Sequence, residues 1–198
     1  MKTITCFCEH TFSIEAPEHI DLRMHPEIRE KILTGTFMSF LCPQCGAELK
    51  PEFPVHITDG DKGIDLFFIP ELERNSYLTG RTSYSAARIV IGFPELQEKF
   101  KLYEAQLDEK AIELIKAYFL ERAESSGEIH IYFGKLEQEH LLFYIEGLKD
   151  SETAVTKISH QVYASFKEKI DNKTYDTALE EILTPPYISV EKIRVEGT

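Results

Sequence analysis

Cys42-Pro43-Gln44-Cys45-Gly46 is the stretch that decides how this chain is read. Two intervening residues let the backbone fold back so that both thiolates point at one ion, and Gly46 supplies a position free to take φ > 0. The turn's N–H groups can then donate to sulfur and offset the negative charge of a thiolate site. A thioredoxin-like Cys-x-x-Cys sits between a strand and a helix. Here short strand-like runs stand on both sides, Thr36 to Leu41 before and residues 47 to 58 after, the latter broken by Pro51 and Pro54.

Working outward, a second pair lies upstream in Cys6-Phe7-Cys8, flanked by the alternating segments Lys2 to Cys6 and Thr11 to Glu15. One intervening residue in a regular strand leaves both side chains on one face, without the usual knuckle turn. No cysteine follows Cys45, and thiols scattered as core hydrophobes would not cluster so. Sulfur at all four positions predicts a zinc-ribbon-like site of Cys6, Cys8, Cys42 and Cys45, with His10 as the alternative ligand to Cys6 or Cys8. Four thiolates leave no open position for water, so the predicted zinc is structural. Between the pairs, Pro26 and Glu27 open a helix with Ile28, Ile32 and Leu33 on one face, and Gly35 stops it.

Beyond the cysteines, Ile64 to Ile69 and Arg88 to Gly92 read as strands, with a short helix at Glu71 to Tyr77. Pro94 to about Ala123 changes character: Leu96, Phe100 and Tyr103, then Ile112, Ile115 and Phe119, keep helical spacing. That is a helical hairpin with Asp108 capping its second helix and residues 124–127 ending it. Residues 128–134, 140–148 and 152–158 read as strands, Gln161 to Ile170 and Thr177 to Leu183 as helices, and Ile188 to Val195 as a terminal strand. The predicted class is α+β: a zinc-ribbon-like β element, the helical hairpin, and a C-terminal α+β portion. The expected division is 1–92 and 93–198.

At these residues the chain resembles the CpXC proteins, a bacterial and archaeal group named for Cys-Pro-x-Cys motifs near the amino terminus. Cys42-Pro43-Gln44-Cys45-Gly46 matches the second such motif, and Pro26 to Phe37 is similar to the approach to it. Leu96 to Phe100 and Leu107 to Lys116 are similar to the downstream helices. Cys6-Phe7-Cys8 departs from the first motif, lacking its proline and one residue. The resemblance covers roughly residues 1 to 123 and implies a zinc-binding domain; it brings no reaction and no catalytic residues.

Composition narrows the function classes. The formal net charge of -12 disfavours a nucleic-acid partner, whose binders concentrate Lys and Arg. Residues 1 to 50 hold seven carboxylates against five Lys or Arg, so the cysteine region has no basic stripe. Thirteen Phe and nine Tyr, with no Trp, supply aromatic core material. The amino terminus lacks the apolar region of a signal peptide, and no run approaches the ~18 residues of a membrane span. The expectation is a soluble cytoplasmic protein with no membrane partner.

No Gly-x-Gly-x-x-Gly, Walker loop, His-Glu-x-x-His or Gly-x-Ser-x-Gly is present. His56, Asp59 and Asp61 stand close in sequence, but a polar strand end followed by an Asp-Gly turn accounts for them. His130, His140 and His160 are spread over the C-terminal half. An enzyme would use a pocket between the two halves, with Tyr84, Arg81, Arg88, His56 and Asp59 as its first residues. The leading expectation is instead a zinc-stabilised protein-interaction or regulatory module, ahead of an enzyme and of a nucleic-acid-binding ribbon.

Overall fold

Short alternating segments at the amino terminus pair first. β1 (Lys2–Thr5) and β2 (Thr11–Ile14) form an antiparallel hairpin with Thr5 opposite Thr11. In this computed structural model, which describes residues 1–123, 128–149 and 152–197, the chain next lays down β3 (His19–Asp21) and α1 (Glu27–Leu33). Pro26 stands immediately before α1, where its missing N–H is harmless, and Gly35 at φ +73 terminates the turn after it. Of the expected apolar face, Ile32 is buried and Ile28 and Leu33 are half-buried.

The strand expected at 36–41 shrinks to β4 (Phe40–Leu41), which pairs with β5 (Glu48–Leu49). The N–H groups of Thr36 and Phe37 both return to the Lys31 carbonyl, so those residues complete the helix end. The strand expected at 47–58 is likewise split, into β5 and β6 (Val55–Asp59), with Pro51 and Pro54 in the gap. Neither proline can donate to a ladder.

β6 belongs to a four-stranded mixed sheet of order β3-β6-β7-β8, with β7 at Ile64–Ile69 and β8 at Arg88–Ile91. β3 runs parallel to β6, β7 antiparallel to β6, and β8 parallel to β7. Alternation puts Val55, Ile57, Leu66 and Phe68 on the inner face, each fully buried. A 3-10 turn at Glu71–Glu73 and α2 (Arg74–Leu78) fall where a short helix is expected.

α3 (Gly92–Ala105) and α4 (Glu109–Leu120) are the expected helical hairpin. Asp108 caps α4 by accepting from the Ala111 N–H, an arrangement worth about 1 kcal/mol. The chain separates into two compact units, Met1–Gln97 and Glu98–Thr198.

In the second unit an antiparallel meander of β9 (His130–Glu137), β10 (His140–Lys149) and β11 (Glu152–Ser159) has β10 at its centre. Ile131, Phe133, Leu141 and Phe143 of this sheet join Ile112 and Ile115 of α4 in one core. α5 (His160–Asn172) is capped by Ser159 and adds Tyr163 and Phe166. The helical-hairpin ending expected at 124–127 lies outside the described residues.

Two C-terminal expectations are corrected. The helix expected at Thr177 to Leu183 is only a 3-10 turn, Thr177–Leu179. The strand expected at Ile188 to Val195 is a 3-10 stretch, Val190–Gly197. Tyr187 through Glu191 are all buried rather than alternating. Their donors are taken locally: Ser189 N–H donates to the Ile182 carbonyl and Val190 N–H to the Glu113 carboxylate. Among the described residues no helix is long and apolar enough to cross a membrane.

Candidate metal centre

Both cysteine pairs sit on tight turns, and the turns are variants of one design. In the second, Cys42 N–H donates to the Ala47 carbonyl and Gly46 N–H donates back to the Cys42 carbonyl, each at 2.9 Å. Gly46 has φ +73, as the sequence requires. In the first, Cys6 N–H donates to the His10 carbonyl and Glu9 N–H to the Cys6 carbonyl, again at 2.9 Å. Glu9 takes the left-handed position at φ +66. A knuckle turn therefore exists at the first pair, contrary to the strand reading, and it is one residue shorter than the second. The signal was hidden because the left-handed residue is Glu rather than Gly.

The four Sγ atoms lie within 4.8 Å of one another. Cys6 and Cys45 approach to 3.6 Å, and Cys8 and Cys42 to 3.7 Å. These are opposite edges of a four-point figure, since they share no residue. A tetrahedral ion with metal–sulfur bonds of about 2.3 Å requires edges of about 3.8 Å. All four are free thiols rather than disulfides. Soft thiolates at tetrahedral spacing fit a borderline or soft ion such as zinc or iron.

Electrostatics at the knuckles agree. Burial pushes the Cys42 thiol up, but the N–H groups of Cys45 and Gln44 and the neighbouring thiols outweigh it and bring it down to about 6. Cys6 also receives the Cys8 N–H, which favours its thiolate; burial and the neighbouring Cys42 and Cys45 thiols work against this and leave it raised. One sulfur set thus shares its protons unevenly, as close thiols must.

His10 is not among the four clustered donors; its ring stacks on Phe12 at 6.0 Å. His10→Ala is expected to retain the same metal stoichiometry as the parent chain, read by elemental analysis. Loss of the ion from that variant would restore His10 as a ligand.

The other sequence candidates divide. Asp59 is the inward-facing end of β6, paired with Arg29 at 3.0 Å and accepting the N–H groups of Asp61 and Lys62. It organises a turn. His56, on the outer face, meets Asp65 at 2.6 Å and stacks on Phe67, which stacks on Tyr84. Asp65 was not anticipated, because pairing with β6 depends on the register of β7. Arg88 donates to the Ala87 carbonyl, and Arg81 is exposed. His130 faces Glu191 and Glu128, while His140 and His160 are exposed at the β10 and α5 starts. Among the described residues, the four cysteines are the one group of three or more donors placed to hold a metal ion.

The sequence model of the CpXC protein family matches residues 4–116, more than half of the chain and both knuckles. The chain belongs to the CpXC family. An uncharacterized protein of Treponema pallidum (strain Nichols) is similar at 26% identity over 186 residues, covering 82% of this chain and 85% of that protein. No solved structure matches. In this CpXC chain the Cys42-Pro43-Gln44-Cys45 knuckle and the shorter Cys6-Phe7-Cys8 knuckle converge on one point.

Proposed function

We propose that Cys6, Cys8, Cys42 and Cys45 hold one structural zinc ion, and that the chain serves as a protein-interaction or regulatory module. The observation that carries this reading is the convergence of four sulfurs, two from each hairpin, at the spacing of a closed tetrahedron. Bound there, zinc supplies charge neutralisation and a cross-link, and leaves no position for a reacting water. Cys6 and Cys42 are buried, which suits a ligand that also serves as local core.

An interaction role draws support from the knuckles themselves. Phe7 is 92% exposed between Cys6 and Cys8, and Leu41 is 69% exposed just before Cys42. The net charge of -12 argues against a nucleic-acid partner. Mixed oligonucleotides are expected to show no retention even at low salt, and salt-dependent retention would reverse that choice.

Cobalt substitution tests the site. Adding cobalt(II) to the metal-free chain is expected to give the intense visible absorption of a tetrahedral thiolate complex, bleached when zinc is added. Weak absorption typical of a six-coordinate ion would rule out the four-thiolate set.

A further inference from the structure

We propose that Cys45 is a site of oxidation by hydroperoxides, and that its oxidation links it to Cys6 across the two hairpins. The inference rests on the four-cysteine centre described above and concerns which sulfur reacts and with which partner. Accessibility separates the four: Cys6 and Cys42 are buried, Cys8 is half-buried, and Cys45 is exposed. A hydroperoxide therefore reaches Cys45 first.

The next step is set by proximity. Cys45 Sγ stands 3.6 Å from Cys6 Sγ, and Cys8 Sγ stands 3.7 Å from Cys42 Sγ. Each approach joins one hairpin to the other. Closing it to a disulfide of about 2.05 Å asks the two sulfurs to move together by under ~2 Å.

In the first step the Cys45 thiolate attacks the hydroperoxide. An S–O bond forms, the O–O bond breaks, and hydroxide (or alkoxide) leaves, giving the sulfenic acid. The Cys6 thiolate then attacks that sulfur; the S–S bond forms, the S–O bond breaks, and hydroxide leaves. Two electrons pass from the sulfurs to one hydroperoxide. A second equivalent does the same for Cys8 and Cys42. With all four thiolates consumed, no ligand set would remain to hold an ion there.

The product keeps what the metal provided. β1–β2 and β4–β5 are separate two-stranded sheets, and both disulfides bridge them. They close spans of 39 and 34 residues in sequence, so the oxidised chain retains its staple after losing its ion. Metal content and thiol oxidation are thereby exchanged without unfolding.

The test treats the purified chain with limiting hydrogen peroxide, blocks remaining thiols by alkylation, and maps unreduced peptides by mass spectrometry. A chromophoric chelator follows the released ion. Peptides linked Cys6–Cys45 are expected first and Cys8–Cys42 second, with alkylated thiols falling from four to two to none. Linkage of Cys42 to Cys45 within one knuckle, or sulfinic acid without any disulfide, would overturn the proposal. A chain that arrives without metal yet forms the predicted cross-links would sink the metal reading and leave this one standing. Metal present with other linkages would do the reverse.

Discussion

Full removal of the metal by a strong chelator is expected to abolish protection of the two cysteine hairpins, residues 2–14 and 40–49, against hydrogen exchange and protease, while β6, β9, β10, β11 and α5 stay protected. The hairpins have little else to hold them. β4 and β5 are two residues each, β1 and β2 four each, and the two pairs share no ladder. An isolated two-stranded hairpin is marginal in water. Structural zinc in small fingers is worth about 10–16 kcal/mol in apparent binding energy. Loss of even about 4 kcal/mol speeds exchange roughly a thousand-fold. Cys42→Ala should reproduce the effect, because it removes a buried ligand and leaves three. Unchanged melting and unchanged protection after complete metal removal would contradict a structural role.

The second large effect lies in the other unit. Lys116→Met is expected to cost about 3–5 kcal/mol at neutral pH, measured by denaturant unfolding. Lys116 Nζ donates to Glu98 at 2.9 Å and Glu113 at 2.7 Å, and all three side chains are almost fully buried. Each carboxylate also accepts one backbone N–H, from Phe133 and from Val190 respectively. Without Lys116, two buried carboxylates are left with one donor apiece.

Burial works to lower the Lys116 pKa, yet Glu113 and Glu98 hold it well above the ordinary lysine value. That contribution is whole below the ordinary value of 10.5 and is lost as pH rises through the folded one. Burial raises the Glu113 carboxyl despite Lys116, so its contribution is whole below 4.5 and lost as pH rises through its folded value. The gap between parent and variant should therefore shrink as pH falls from 7 towards 4.5, where the stranded Glu113 carboxyl takes up a proton. A gap that is constant with pH would mean the loss comes from packing alone.

Much of this was legible in the sequence, for local reasons. Cys42-Pro-Gln-Cys45-Gly46 encodes its turn in residue types, and Asp108 encodes the start of α4. The helical periods of Leu96, Phe100, Ile112 and Ile115 survive because α3 and α4 bury those residues. What escaped depends on distant partners. β3 is three residues long and exists because β6 lies beside it. Glu113 and Lys116 look like an ordinary surface pair at i, i+3, and nothing local says that Glu98 and Val190 close over them. The carboxyl-terminal segment alternates like a strand, but its donors are captured by Glu113 and the Ile182 carbonyl. At Cys6, a left-handed Glu9 gives no sequence sign of the turn it completes.

The most direct test of the four-thiolate centre is elemental analysis of protein purified without added metal, with thiols titrated before and after chelation. About one zinc ion per chain, with Cys6, Cys8 and Cys42 reacting only once the chelator is present, is the predicted result. A chain without metal whose four thiols react freely would contradict it.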